Sequence, residues 1–487
     1  VTSVTIEPAH PGRWLALMGV GLGVLMATLD VSIVNLALPT LVEIFRTNFA
    51  TIQWIALGYA LVLTTLLLSA ARLGDMISKK KVYLAGLALF TLASLLCGLS
   101  PGVGWLIGFR ALQGLGAVMA QALGVAIVTE VFPVRERGRA LGAIGGIVSV
   151  GLALGPPLGG LLIGYLGWRS IFLVNVPLGL VALTVISRKV PSLPPGESGQ
   201  RFDLIGTLIV FLTLGCYTTA MTWGQERGFG DPIILALLAG AGLGFLVLLK
   251  VEARLSQPMI DRSIFDDTLF SLNLIMGFLC FVTLGGFFII PFILQLGMGY
   301  PTEQVGLLMM TVPILMGLIA PWAGGLSDRW GPRWISLAGL VWLALGCLTI
   351  STLTVGTPWW GYVLRVAPLG IGMGMFQSPN NSAIMGAVPR HRLGLASGFL
   401  SLSRTLGQTT GLPLIGALFT LQMMSAWAPG TGAGGINQAP PEALLYGVQQ
   451  TYRLVSLIIL AAIVLAVFSI RIDRRRKALK TGSKPSE

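Results

Sequence analysis

The sequence predicts an all-α polytopic membrane protein. It has fourteen transmembrane helices, arranged as two related six-helix halves with two further helices inserted between them. Three observations predict this. Of the 487 residues, 54% are hydrophobic and only 10% charged, where soluble domains carry about 25% charged residues; mean hydropathy is +0.83. Fourteen apolar runs near the ~20-residue length of a membrane crossing fill most of the chain. An internal repeat links the first six runs to the last six.

The spans read as 14–38, 51–71, 82–99, 105–131, 140–164, 169–187, 204–223, 232–251, 269–294, 304–326, 334–354, 359–387, 395–421 and 452–470. An even number puts both termini on one side. Arg72 and Lys79–Lys81 follow span 2, Arg135, Arg137 and Arg139 follow span 4, and Arg188, Lys189 and Arg201 follow span 6. Lys250, Arg254 and Arg262, then Arg329 and Arg333, then Arg390 and Arg392 follow spans 8, 10 and 12, and a basic tail begins at Arg471. The alternate loops hold little beyond Arg46, Arg169 and Arg227. Both termini are therefore expected in the cytoplasm. Arg13 precedes a run too long for a signal peptide core, so the first span is expected to be retained.

The resulting organisation is a cytoplasmic N-terminus (1–13), a six-helix bundle (14–187), a linker (188–203), two inserted helices (204–251), a cytoplasmic connection (252–268), a second six-helix bundle (269–470) and a basic cytoplasmic tail (471–487). The linker is rich in Pro, Gly and Ser. The connection carries Leu255, Met259, Ile260, Ile264 and Phe265, suited to the membrane surface. Beyond Met423 the outer connection starts with a glycine-rich run, and Pro441–Gln450 reads as a short helix. The tail marks the inside face and is placed to touch anionic lipid.

The repeat is specific. Ala71-Arg-Leu-Gly-Asp75 matches Gly324-Gly-Leu-Ser-Asp328, and Leu84-Ala-Gly-Leu87 matches Leu337-Ala-Gly-Leu340, both at an offset of 253 residues. Arg110 matches Arg365 and Pro133 matches Pro389. Gly151, Gly155, Pro157 and Gly160 match Gly407, Gly411, Pro413 and Gly416 at an offset of 256. Two parallel halves of this kind are a known transporter plan, with substrate held between them near the midplane.

The net charge of +13 sits in short loops, so topology accounts for it and nucleic acid is not an expected partner. Cys97, Cys216, Cys280 and Cys347 lie scattered in apolar runs, and His10 and His391 lie in polar flanks; neither set has metal-ligand or disulfide spacing. No cofactor and no metal site are expected.

Asp30 is the residue around which function is read. It lies about sixteen residues along the first run, ~24 Å from its start and inside a hydrocarbon layer ~30 Å thick. An acid there must face protein or a wet cavity. Burial favours a neutral acid and a nearby cation favours a carboxylate, so an acid held between the two can load and release a proton. The plainer alternative is a structural Asp paired permanently with a cation. Arg110, five residues into span 4 from the outside, lies ~22 Å from the inner face, a similar depth. It is a candidate partner of Asp30, or a buried Arg kept for packing.

Asp75, with Lys79 close behind it in the loop between spans 2 and 3, can form a charge-paired latch, with Glu130 and Arg137 or Arg139 as partners. Asp328 and Arg329 repeat the pattern in the second half. The alternative is a plain topology signal. In Gly151-Leu-Ala-Leu-Gly-Pro-Pro-Leu-Gly-Gly160, Gly151, Gly155 and Gly159 share one helix face, Gly160 follows, and Pro156 and Pro157 interrupt the backbone ladder. That smooth face suits a tightly sealed sliding interface between the halves. Polar or aromatic residues in the spans are substrate-binding candidates: Asn35, Trp54, Tyr59, Gln113, Gln121, Asn273, Gln295, Gln377, Asn380 and Asn381, with Gln53, Arg404 and Gln408 beside them. Each has the alternative role of bridging helices.

These motifs resemble the major facilitator superfamily, and within it the fourteen-helix drug:proton antiporters of the EmrB/QacA type. Leu29–Pro39, with Asp30 and Asn35, resembles that family's first-helix motif. Gly74 and Asp75 with Lys79–Lys81 resemble the loop 2–3 motif, departing from it at Ala71 and Ser78, where the motif has Gly. Arg110-Ala-Leu-Gln-Gly114 resembles the fourth-helix motif, Gly151–Gly160 the antiporter motif, and Gly167–Gly179 the opening of helix 6. The resemblance implies export of lipophilic small molecules against proton entry by alternating access. It also implies a bacterial inner membrane. A protein working as a monomer is expected. A lipid, siderophore or metabolite exporter of the same fold is the rival. A lipid-modifying membrane enzyme would need paired carboxylates or a nucleophile–base set, and the spans contain neither.

Overall fold

The computed structural model describes residues 12–190, 204–252, 265, 267–388, 393–427 and 436–481. Among them the chain is helical, with α1 (Arg13–Phe45), α2 (Phe49–Met76), α3 (Lys79–Gly98), α4 (Val103–Val131), α5 (Val134–Leu166), α6 (Ser170–Leu173), α7 (Asn175–Lys189), α8 (Leu204–Arg227) and α9 (Pro232–Glu252). Then come α10 (Thr268–Gly285), α11 (Ile290–Phe292), α12 (Thr302–Met309), α13 (Thr311–Trp330), α14 (Pro332–Ile350), α15 (Trp359–Gly386), α16 (Leu393–Ala426) and α17 (Pro441–Thr481).

Helix stands at each of the fourteen expected spans. Among the described residues, twelve stretches are long and apolar enough to cross a membrane by length and hydropathy; α15 and α16 are not among these. Both carry polar residues along an apolar background, Gln377–Ser382 in α15 and Ser403, Arg404 and Gln408 in α16. The ninth span is not one regular helix. After α10 it tightens into a 3₁₀ turn at Gly286–Ile289 and widens into a π turn at Ile293–Gly297, irregularities that often mark functional segments. The short helix expected at 441–450 is continuous with the last span in the 41-residue α17. Helix ends follow local rules. Asn48 accepts from the Thr51 amide at 2.7 Å to cap α2, and α1 stops where Arg46 turns left-handed at φ 48°. Of the surface-facing apolar residues expected in the connection before α10, Phe265 alone is described; it is exposed and packs edge-on against Phe270 and Phe399.

The chain separates into two compact units. Unit 1 is Val1–Ala220 with Leu235–Val251 and Thr302–Leu307; unit 2 is Met221–Ile234 with Glu252–Pro301 and Leu308–Glu487. In unit 1, α1 packs on α5 and α7, α2 on α4, and α3 on α4 and α7. In unit 2, α10 packs on α16 and α17, α13 on α15, and α14 on α15 and α17. The pairing pattern is the same in both, as the sequence repeat predicts. Gly86 on α3 and Gly116 on α4 approach so closely that a Cβ at Gly86 would lie 2.8 Å from the Gly116 carbonyl oxygen. Gly339 on α14 and Gly372 on α15 repeat the contact at 2.9 Å. Their offsets are the 253 and 256 residues of the repeat. Without side chains the two backbones pack through direct contact.

Tyr83, Phe90, Val118, Ile127 and Phe132 lie in the core of unit 1. Leu208 and Leu212 on α8 and Leu243, Phe245 and Leu246 on α9 are exposed, as on a surface solvated by lipid.

Candidate functional site

The polar centre of unit 1 is assembled from five helices. Asp30 sits on α1, Tyr59 on α2, Ser94 and Cys97 on α3, Arg110 and Gln113 on α4, and Asn175 at the start of α7. Asp30, Arg110 and Asn175 are each 1% exposed and Gln113 is 0% exposed. Arg110 Nη1 donates to Asp30 Oδ2 at 2.5 Å, an ion pair with both side chains closed to solvent. Arg110 and Gln113 are one helical turn apart, which brings them to the same face of α4. Gln113 Nε2 donates to Asp30 Oδ1 at 2.9 Å and to Ser94 Oγ at 2.8 Å, while its Oε1 accepts from Arg110. Asn175 Nδ2 donates to Asp30 Oδ1 at 3.2 Å. Arg110 Nε donates to the Ile55 carbonyl at 3.0 Å, and the guanidinium lies 4.5 Å from the centroid of the Tyr59 ring.

Both carboxylate oxygens of Asp30 thus accept from donors, and the cation is held from two sides. An ionised carboxylate is acceptor-only, so this set of donors suits the deprotonated acid.

The structure therefore joins Asp30 to Arg110, as depth alone suggested, and brings Tyr59 and Gln113 into the same cluster. Gln113, read from the sequence as a substrate candidate, is turned to Asp30. Asn175 was missed. Its only sequence signal was its place in the Gly167–Gly179 string. Asn35 and Trp54 are half-buried, and Gln121 is exposed. Gln53 is fully buried. In unit 2, Asn273 and Asn380 meet, with Asn380 Nδ2 donating to the Asn273 carbonyl at 3.3 Å. Gln295 lies in the π turn, Gln377, Asn381 and Arg404 are half-buried, and Gln408 is exposed.

Of the latch residues, Lys79 pairs with Glu130. The side chains of Asp75, Arg137, Arg139 and Asp328 lie outside the described residues. Glu136 pairs with Arg13 at 3.0 Å, and Arg333 pairs with Asp473; neither pair was foreseen. Arg329 is exposed.

Within unit 1 the glycine string packs on α1, and its end meets the start of α12. Gly151, Gly155 and Gly159 turn to α1 in their own unit. A Cβ on Gly151 would overlap Thr28, one on Gly155 would lie 2.5 Å from Ser32 Cβ, and one on Gly159 would lie 2.9 Å from Ile33 Cγ2. The i, i+4 spacing keeps the three glycines on one face of α5, against the Thr28–Ile33 stretch of α1. A Cβ on Gly160 would lie 2.8 Å from the Thr302 carbonyl oxygen, in the Thr302–Leu307 segment that clusters with unit 1. Pro156 and Pro157 stay within a continuous α5.

Comparison with known proteins agrees with this architecture. A family model described as the Major Facilitator Superfamily matches residues 20–411 and again 274–486. The riboflavin transporter RibZ of Clostridioides difficile is 33% identical over 408 residues, 84% of this chain and 88% of that one. The multidrug resistance protein Stp of Mycobacterium tuberculosis is 33% identical over 433 residues, 88% of this chain and 79% of that one. A crystal structure of a bacterial homologue of the human lysosomal transporter Spinster, inward-facing and unoccupied, superimposes with a TM-score of 0.68. It is 17% identical and covers 95% of this chain and 98% of that one, a likeness of fold.

Proposed function

The chain belongs to the Major Facilitator Superfamily, and from that membership we propose that it is a proton-coupled antiporter that exports lipophilic small molecules by alternating access. Within the superfamily we place it with the fourteen-helix drug:proton antiporters, in a bacterial inner membrane with both termini cytoplasmic, working as a monomer. The observation that carries the proposal is the buried Asp30–Arg110 pair, closed to solvent and shared with Gln113 and Asn175.

Each residue of the cluster has its own part. Asp30 holds the coupled proton. The proton is exchanged when the transport cycle separates Asp30 from Arg110. Gln113 and Asn175 orient the carboxylate, and Gln113 also ties Arg110 into the cluster. Lys79 and Glu130 serve as a conformational latch. The contact of α5 with α1 transmits movement of one helix to the helix that carries Asp30.

The similarity to a multidrug resistance protein supports drug export. The similarity to a riboflavin transporter supports the second reading, export of an amphiphilic metabolite by the same machinery. The test is a thermal-shift screen of the purified protein against drugs, lipids, siderophores and flavins, followed by transport of each hit into proteoliposomes under an imposed pH gradient. Accumulation that collapses when the gradient is dissipated supports antiport. Equilibration unaffected by the gradient contradicts it.

A further inference from the structure

Unit 2 contains a cation that the repeat supplies with no acid. Arg404 lies more than two turns from either end of α16, and its counterpart in the first half at the 256-residue offset is Val148. Arg404 Nε is buried and makes no hydrogen bond, and no described carboxylate pairs with the guanidinium, which lies 5.6 Å from the centroid of the Phe281 ring. Arg365, the counterpart of Arg110, does not resemble this. It donates to Thr352 Oγ1 and to the Gly361 carbonyl, both at 3.0 Å.

A second polar group lacks a full set of partners on α15. Asn380 is 2% exposed; its Nδ2 donates to the Asn273 carbonyl, and its Oδ1 has no partner. Gly277 on α10 faces Asn380 and Ser403, the residue before Arg404, since a Cβ there would lie 3.5 Å from Asn380 Nδ2 and 3.6 Å from Ser403 Oγ. Phe281, under Arg404, is one turn farther along α10. Among the described residues, α15 and α16 therefore bring an amide oxygen and a guanidinium nitrogen without hydrogen-bond partners to the same stretch of α10. An unpaired guanidinium at membrane depth is costly and marks a substrate or ion path. An unpaired carbonyl oxygen in the same cluster calls for an N–H or O–H.

We infer that Arg404 and Asn380 form a recognition site for amphiphiles bearing an anionic oxygen, such as a carboxylate, phenolate or enolate, next to a hydrogen-bond donor. The guanidinium takes the anionic oxygen and Asn380 Oδ1 takes the donor. This rests on the transport reading above and narrows its cargo to anionic compounds over lipophilic cations. Phe281 adds an apolar ring against which a flat ligand stacks.

The test uses the purified full-length protein in an uncharged maltoside detergent. It is titrated with fluorescein, an anionic xanthene, and with rhodamine 6G, a cationic xanthene, and binding is read by anisotropy. Fluorescein should bind saturably and about tenfold or more tighter than rhodamine 6G. Arg404→Gln should weaken fluorescein about tenfold or more, and Arg404→Lys should stay within about threefold of wild type. The thermal midpoint of Arg404→Gln should equal or exceed that of wild type, because the change removes a half-buried charge that no described carboxylate pairs with. A fall in that midpoint with unchanged fluorescein affinity would identify Arg404 as a structural residue. Absence of saturable fluorescein binding, or tighter binding of rhodamine 6G, would equally overturn the inference. Fluorescein binding in detergent needs no pH gradient, so this inference and the coupling reading fail in separate assays: anisotropy for Arg404, and pH-driven transport for Asp30.

Discussion

Replacing Gly155 by Ala probes the contact between α5 and the helix that carries Asp30. The new Cβ would lie 2.5 Å from Ser32 Cβ and 2.7 Å from Ser32 Oγ. Carbon atoms in contact sit about 3.5–4.0 Å apart, so α1 and α5 must part locally by about 1 Å. Rotating Ser32 about χ1 moves Oγ but not Cβ, so no rotamer relieves the overlap. Overpacking of this kind costs about 1–3 kcal/mol, and the better helix propensity of Ala returns up to about 1 kcal/mol. The separation also strains the Ser32 Oγ bond to the Leu152 carbonyl, 3.3 Å in the native contact. Equilibrium unfolding in mixed micelles should therefore show a net loss of about 1–2 kcal/mol. Ser32→Gly removes the opposing Cβ. In that background Gly155→Ala should cost nothing or stabilise, a non-additivity of about 1 kcal/mol or more. Wild-type stability of Gly155→Ala, or the same penalty in the Ser32→Gly background, would refute the reasoning.

Two further outcomes are expected. Asp30→Leu leaves Arg110 buried without its counter-charge and should cost about 3–5 kcal/mol, whereas Asp30→Leu/Arg110→Leu should cost much less than the sum of the single changes; an additive cycle from the same unfolding measurements would deny the pair its closed, buried character. For topology, a cysteine at Gly356 should react with a membrane-impermeant maleimide in intact cells and one at Trp330 should not, the reverse pattern contradicting cytoplasmic termini.

The helices were legible because lipid imposes strong rules. Backbone polar groups must be satisfied within a helix, and a crossing needs about twenty apolar residues. The repeat was legible at the glycines, since Gly86 and Gly339 have no tolerable substitute where backbones touch. Depth counting put Asp30 and Arg110 at one level, and the structure brings them into contact. Counting could not give azimuth. Gln113 is visibly one turn from Arg110, but that it turns to Asp30 depends on how α4 is rotated against α1. Asn175 sits where the sixth span breaks between α6 and α7, and hydropathy carries no signal for that break. The glycine string was recognised as a close-packing face, yet its partner was not. A smooth face records that a backbone approaches, and the matching positions Thr28, Ser32 and Ile33 on α1 become informative only once the two helices are paired.

The central claim is that Asp30 carries the coupled proton, and replacing it with Asn tests this most directly. Asn reproduces the shape of the neutral acid but cannot titrate. Reconstituted wild-type and Asp30→Asn proteins are compared for movement of the cargo found by screening, with and without an imposed pH gradient. The account predicts that Asp30→Asn retains exchange of cargo down its own gradient and loses accumulation driven by pH. Accumulation of cargo against its gradient by the Asp30→Asn protein would place the coupling proton on another group, or show that another ion drives transport.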